Sequence, residues 1–250
     1  MKYTEENLKY LRGEVFSAGY NLQLDNNLLY SRIEWIKRLL SGKSVLHIGC
    51  CDHLPLIEKK IYEGKWLHGI LDDICSNVIG IDVNQEAVDF INKRKLSKNE
   101  VHCLDISDKS FAERMPKSVF DFVLLGEILE HVDNPVDFLF KMKTNLDEYG
   151  FKGKYLITVP NAFCFQTNLY LKGIECVNSD HKYWFTPYTL AKVLVEANIT
   201  PEELLFASYG LGGNGRNRFQ NKIFSRLERF RKRPSSYKSY RGETLIIIGV

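Results

Sequence analysis

Short apolar runs that end in glycine or aspartate alternate with stretches of helical periodicity along most of this chain, and that rhythm admits few architectures. Ser44-Val45-Leu46-His47-Ile48 runs into Gly49, Val78-Ile79-Gly80-Ile81 into Asp82, Val101-His102-Cys103-Leu104 into Asp105, and Phe120 to Leu125 into Gly126. Tyr155 to Val159 and Leu204 to Ser208 are further runs, with helical patterns at Ala87, Val88, Phe90 and Ile91 and from Pro187 to Ala197. Near-continuous apolar runs of this length read as strands buried on both faces. Their alternation with helices predicts a parallel α/β sheet covered on both sides. Thr244 to Ile248 forms a last strand whose direction periodicity does not give.

Before the first strand, Leu28, Leu29, Ile33, Ile36, Leu39 and Leu40 fall at helical spacing behind Asp25, a candidate N-cap, and Gly42 stops the run. Residues 1–42 are therefore expected to form a helical cap, and 43–250 one domain. With 250 residues, 44% of them hydrophobic, the chain can bury one sizeable core. No run approaches the roughly 20 apolar residues of a membrane span, and the first residues carry no signal-like core. The expectation is a soluble cytoplasmic protein without a transmembrane segment; the oligomeric state is not readable. The six cysteines (Cys50, Cys51, Cys75, Cys103, Cys164, Cys176) lack paired metal-ligand spacing and mostly sit in apolar contexts, which reads as reduced, buried thiols rather than a centre of function.

The net charge of +3 is unevenly spread. Arg216 to Arg241 holds ten of the 34 Lys and Arg but one of the 31 acids, Glu228, leaving 24 basic against 30 acidic residues elsewhere. Phe219, Ile223, Leu227 and Phe230 recur at helical spacing inside that segment. It reads either as a basic surface for an anionic partner or as a solvated helix face.

Open parallel sheets bind ligands at the carboxyl ends of their strands, so Gly49, Asp82, Asp105, Gly126 and Glu127 are the positions to weigh. Glycine after the first strand lets backbone approach a ligand, and an acid after the second can accept from two ribose hydroxyls. A nicotinamide dinucleotide fold requires G-x-G-x-x-G, and only Gly49 is present in His47-Ile48-Gly49-Cys50-Cys51-Asp52-His53. From Ser44 onwards the chain resembles the class I S-adenosylmethionine-dependent methyltransferases, with His47 in the place of their usual acid and Cys51 in that of a glycine. The resemblance implies a Rossmann-like, doubly wound seven-stranded sheet with an antiparallel last strand. It also implies S-adenosylmethionine contacts at Gly49, Cys50, Asp52, Asp82, Val83, Asp105, Ile106 and Gly126. The wide separation of Gly49 and Asp82 is read as an enlarged helical segment through Lys65 to Leu71.

After the fourth strand comes Gly126-Glu127-Ile128-Leu129-Glu130-His131-Val132-Asp133-Asn134-Pro135. On a helix, Glu127 would share a face with Glu130 and His131, and His181 follows the fifth strand within Asp180-His181-Lys182-Tyr183-Trp184-Phe185. Two carboxylates and two imidazoles suit Mg²⁺, Mn²⁺, Fe²⁺ or Zn²⁺. The pattern is similar to that of the small-RNA 2′-O-methyltransferases and of the ubiquinone-biosynthesis O-methyltransferases. By that likeness Glu127, Glu130, His131 and His181 are metal ligands, with His131 or His181 as base where it is not a ligand. The alternative reading has the two acids favouring a helix N-terminus and His131 packing near the cofactor of a metal-free enzyme. His47, His68 and His102 read as packed core histidines, and His53 as a loop residue within reach of substrate.

Tyr3, Tyr10, Tyr20 and Tyr30 are expected either to cover the cofactor or to join the core, and Phe163, Phe165, Tyr170, Tyr183 and Trp184 to offer stacking surfaces. A net charge of +3 is a weak footprint for many phosphate contacts. Together with a loose likeness of Leu46 to Cys50 and Trp66 to His68 to glycan-pathway methyltransferases, this favours metal-assisted O-methylation of a small anionic acceptor. A phosphorylated or nucleotide-linked sugar of surface-glycan (capsule) polysaccharide biosynthesis fits that description. RNA 2′-O-methylation, a non-catalytic binding protein and a membrane-surface enzyme using the basic stretch are the other readings.

Overall fold

A computed structural model describes residues 1–25, 29–52, 54–164, 173–175, 177–208 and 242–250. In chain order the elements are α1 (Glu5–Leu11), β1 (Tyr30–Ser31), α2 (Arg32–Leu40), β2 (Ser44–Ile48), α3 (Leu54–Tyr62), α4 (Leu67–Ile74), β3 (Asn77–Asp82) and α5 (Gln85–Arg94). They continue with β4 (His102–Cys103), α6 (Phe111–Arg114), β5 (Phe122–Gly126), α7 (Pro135–Tyr149), β6 (Lys154–Pro160), α8 (Pro187–Glu196), β7 (Pro201–Ser208) and β8 (Thr244–Gly249). The strands form one sheet in the order β1-β7-β8-β6-β5-β2-β3-β4.

Among the described strands only β8 runs against the rest. It lies between β6 and β7 and is antiparallel to both, with Leu156 opposite Ile248 and Leu205 opposite Ile246. Every residue of β8 is buried, which accounts for its uninterrupted Thr-Leu-Ile-Ile-Ile composition. The sheet has eight strands rather than seven because Tyr30 and Ser31 pair in parallel with Ala207 and Ser208 at its edge.

Alternate strand residues feed opposite faces. Leu46, Val123, Leu125, Ile157, Leu245 and Ile247 meet α1, α7 and α8 through Leu8, Leu139, Met142, Leu190 and Leu194. Val45, Leu124, Leu156 and Ile246 meet α2 and α4 through Ile36, Leu40 and Leu71. A smaller cluster of Cys50, Ile57, Trp66, Val88 and Ile91 seats α3 and α5. Full burial of one such aliphatic side chain contributes about 1.5–3 kcal/mol. Among the described residues no helix is long and apolar enough to cross a membrane.

The N-terminal segment departs from the expected helix behind Asp25. Helix α2 begins at Arg32, capped by Ser31, whose side chain accepts from the Glu34 N–H while Glu34 returns the bond. That reciprocal cap outcompetes Asp25, which instead lies 3.5 Å from the Met1 ammonium. Leu28 lies outside the described residues. Tyr10 and Tyr20 stack with centroids 4.0 Å apart, Tyr20 lies near Tyr188 of α8, and Tyr3 donates to the Pro187 carbonyl. These three tyrosines thus pack the N-terminal segment onto α8. The basic segment Arg216 to Arg241 lies outside the described residues, as do His53, Phe165, Tyr170 and Cys176.

Gly80, in the middle of β3, is tightly packed under the turn that follows β2. A Cβ there would lie 2.7 Å from both Cys50 Sγ and His68 Cε1. Gly80→Ala is therefore expected to lower stability by about 1–3 kcal/mol, measured as a shift of the urea midpoint.

Candidate active site

The sheet reverses its winding between β2 and β5, the crevice where open α/β sheets take ligands. Gly49, with φ +66°, ends β2 there, and a Cβ on it would meet Ile128 Cδ1 at 2.8 Å. The glycine lets the β2 turn and the β5 loop close on each other. Its own N–H and that of Cys50 both donate to the Ile81 carbonyl, at 2.9 and 3.2 Å. Asp82, half-buried at the end of β3, accepts from Cys51 N–H at 2.9 Å and from Asn84 N–H at 3.0 Å. Each carboxylate oxygen can accept a second bond, so the backbone fixes the carboxylate without exhausting it.

The remaining cofactor positions divide by exposure. Asp52 pairs with Lys60. Val83 is exposed, Ile106 is buried, and Asp105, exposed after β4, accepts from the N–H and hydroxyl of Ser107. Gly126 faces Leu67, whose Cδ2 lies 3.0 Å from where a Cβ would stand, with Arg32 Nη2 at 3.7 Å. A cleft of about 940 Å³ opens at the other, amino-terminal ends of the strands, among Lys43, Asp121, Lys152 and Lys154; the chemistry-bearing residues do not line it.

His47 and His68 are buried together rather than separately. Their Nδ1 atoms lie 3.1 Å apart, the rings stack at 5.3 Å, and His68 Nε2 contacts Ser97 Oγ at 3.0 Å. Burial lowers both basicities: His47 falls well below the ordinary range, helped by His68 and Arg32, and His68 falls to about 4 against the opposing pull of Asp72. A histidine with a depressed folded pKa contributes stability that is lost as pH falls from about 6.5 toward the folded value. Acidification to pH 5 should therefore cost about 2 kcal/mol through His68, and His68→Gln should flatten that limb of a stability-versus-pH curve.

Residues 127–134 are not a helix. They form a run of turns, with His131 N–H bonded to the Ile128 carbonyl at 2.9 Å, and α7 begins only at Pro135 behind the Asn134 cap. Glu127 has φ +61°, a left-handed conformation that costs a non-glycine residue about 1–2 kcal/mol. Three contacts offset it: Glu127 N–H donates to the Thr158 carbonyl at 2.9 Å, Thr158 Oγ1 donates to Glu127 Oε1 at 3.1 Å, and Arg32 Nη1 lies 3.2 Å from the same oxygen.

Glu130 is completely buried, and neither carboxylate oxygen has a hydrogen-bond partner. Burial, then the charge of Glu127, raises its pKa to about 8. The segment 178–183 is pinned over it. Lys182 N–H donates to the Glu130 carbonyl at 2.7 Å, Lys182 pairs with Asp133, and Tyr183 hydroxyl donates to the Asp133 carbonyl at 2.7 Å. This brings His181 edge-on to His131, with centroids 4.7 Å apart, and Trp184 to 6.1 Å from His181. Ligand atoms of Glu130, His131 and His181 all lie within 4.8 Å of one another.

Of the four residues expected to share a metal, three converge, while Glu127 is held by Arg32 and Thr158. His131 Nδ1 lies 3.1 Å from the Asp180 carbonyl; that acceptor requires the N–H at Nδ1 and leaves the Nε2 lone pair free, the arrangement that orients metal-binding imidazoles. His181 Nδ1 is buried without a hydrogen-bond partner. Burial, then His131, lowers the His181 pKa, which keeps the ring neutral as a ligand must be. The donor set and its orphaned atoms thus fit a divalent cation. Sequence reasoning missed Arg32, Thr158 and Asp180; Thr158, a hydroxyl inside an apolar buried strand beside Gly126, was the readable signal.

Residues 23–204 match a family profile described as a methyltransferase domain. No curated protein sequence matches the chain. Among solved structures the chain is similar to the small RNA methyltransferase HEN1, at 16% identity and a TM-score of 0.52, over 91% of this chain and 27% of that one. It is also similar to S-adenosylmethionine-dependent methyltransferases from Archaeoglobus fulgidus (20% identity, TM-score 0.47, 87% of this chain and 91% of that one) and from Aquifex aeolicus (14%, 0.49, 88% and 89%). At these identities the likeness is one of fold.

Proposed function

From the premise that this chain belongs to the methyltransferase-domain family, we propose that it methylates a hydroxyl oxygen with a divalent cation held by Glu130, His131 and His181. The observation that carries this reading is the convergence of three ligand side chains around a carboxylate that is buried and unpartnered. A buried carboxyl is costly unless paired, and a cation is the partner that an acid flanked by two neutral imidazoles suits.

Transfer of a sulfonium methyl requires an in-line nucleophile, exclusion of water and removal of a proton from a neutral acceptor. Asp82 would hold the ribose of S-adenosylmethionine, and Gly49 with Ile128 would form the wall between cofactor and acceptor. A divalent ion at Glu130 would supply the lowered pKa of an acceptor hydroxyl. Glu127, fixed by Arg32 and Thr158, would set the local charge.

For the acceptor we favour a small anionic hydroxyl compound, a phosphorylated or nucleotide-linked sugar of surface-glycan synthesis. Trp184 beside His181 and the exposed Phe163 and Tyr183 offer faces on which a sugar or base can stack. The terminal ribose of RNA is the second reading, since the same donor set would meet its vicinal hydroxyls.

The test is incubation with labelled S-adenosylmethionine and fractionated cell extract, before and after complete metal removal with EDTA. The expected result is label in a small acidic molecule, lost with EDTA and restored by Mn²⁺ or Mg²⁺. Methyl transfer unchanged after metal removal would sink the cation's role, and label confined to RNA would select the second reading.

A further inference from the structure

The adjacent thiols of Cys50 and Cys51 lie against the carboxylate that ends β3. Cys50 is buried beneath Trp66, whose indole N–H donates to the Cys50 carbonyl at 3.0 Å, while Cys51 is half-buried. Their sulfur atoms lie 3.9 Å apart, and a carboxylate oxygen of Asp82 completes a group whose ligand atoms all lie within 4.8 Å of one another. The carboxylate is fixed by Cys51 N–H and Asn84 N–H, so the acid and one thiol are tied through the same peptide.

Two thiolates bound to one tetrahedral zinc at about 2.3 Å stand about 3.8 Å apart. The two sulfurs already have that separation. Two sulfurs and one carboxylate oxygen make three protein donors, the number at which a zinc-type ion keeps a fourth position open. Two sulfurs make this group softer than the oxygen and nitrogen donors of Glu130, His131 and His181, which also suit Mg²⁺, Mn²⁺ or Fe²⁺.

We propose that Cys50, Cys51 and Asp82 form a binding site for a thiophilic divalent cation of the Zn²⁺ class, and that this cation competes with S-adenosylmethionine for the Asp82 carboxylate. The competition rests on the role given to Asp82 under the proposed function; the cation site itself does not. Binding forms two S–metal bonds and one O–metal bond, releases the two thiol protons to solvent and changes no oxidation state. The outcome is an enzyme that a soft metal switches off at its cofactor loop while a hard metal supports it at Glu130.

The probe is Cd²⁺ titrated into the reduced full-length chain, read by the ultraviolet sulfur-to-metal charge-transfer band, which an oxygen and nitrogen site does not give. The band should saturate at one equivalent, survive in the H131A/H181A double variant and in Cys103→Ser, and vanish in Cys51→Ser. Cys51 is half-buried and Ser nearly isosteric, so the variant should fold; unchanged circular dichroism checks this, and Cys50→Ala repeats the test from the other sulfur. S-adenosylmethionine should diminish the band, and one equivalent of Cd²⁺ should weaken cofactor affinity by at least tenfold in wild type but not in Cys51→Ser. No band at stoichiometric Cd²⁺, or an undiminished band in both cysteine variants, overturns the site. A band that S-adenosylmethionine leaves unchanged, although calorimetry shows the cofactor binding, overturns the competition. A band in a chain that binds no S-adenosylmethionine upholds the site and instead removes the cofactor reading.

Discussion

Glu130→Gln is expected to make the metal-free protein more stable while lowering methyl transfer by at least about a hundredfold, the upper end of what loss of even an outer partner of a metal site costs. The stability gain follows from burial. With a folded pKa of about 8 against an ordinary value near 4.3, the folded protein holds the Glu130 proton across a pH range in which the unfolded chain releases it. A raised carboxyl pKa contributes stability that is complete below the unfolded value and is lost as pH rises through the folded one. In EDTA at pH 7 the wild type should therefore be less stable than the glutamine variant by roughly 3–4 kcal/mol, and the two should converge near pH 4. Addition of Mn²⁺ should invert the order, because the ion stabilises only the chain that binds it. Thermal denaturation across pH with and without Mn²⁺ reads both halves. A glutamine variant that gains stability from Mn²⁺ as the wild type does would remove Glu130 from the ligand set.

The sheet was legible because its strands are buried on both faces and advertise this in composition. Ser44–Ile48 and the start of the last strand at Thr244 were readable directly from their apolar runs. The direction of β8 was not: hydrophobicity is indifferent to it, and only family resemblance supplied the antiparallel pairing that Leu156 and Ile248 display. Local chemistry misled where two signals competed. The spacing of Glu127, Glu130 and His131 fits a helix, yet Asn134-Pro135 already marked the true start of α7, as a capping side chain followed by proline at the first helical position. The left-handed Glu127 that breaks the pattern carries no sequence signature of its own. Ser31 and Glu34 likewise spelled a capping box that the periodicity after Asp25 obscured. What stayed out of reach was pairing across elements: Arg32 on Glu127, His47 on His68, and the two sulfurs against Asp82 are set by loops whose closure no single segment encodes. His131 and His181, fifty residues apart, were joined beforehand by their places after the fourth and fifth strands and by family likeness, not by any local pattern.

At the other half of the site, Asp82→Ala is expected to weaken S-adenosylmethionine binding by at least about a hundredfold. A carboxylate accepting from both ribose hydroxyls makes two charge-assisted bonds worth about 1.5–3 kcal/mol each, and each 1.4 kcal/mol is tenfold in affinity. Part of the loss comes through the scaffold, because the same carboxylate holds Cys51 N–H and Asn84 N–H and alanine leaves both without their acceptor. Asp82→Asn separates the two contributions: its amide oxygen can keep one backbone bond while the charge is gone, so its affinity should fall between those of alanine and wild type. Calorimetry with S-adenosylmethionine measures the series, and Glu130→Gln is the internal control, since it should bind the cofactor as wild type does while failing in transfer. Wild-type affinity in Asp82→Ala would take the ribose away from β3 and leave that acid as a clamp on the turn after β2. The opposite pattern, with cofactor lost in Asp82→Ala and retained in Glu130→Gln, would divide the strand ends into a β3 side that binds the methyl donor and a β5 side that activates its acceptor.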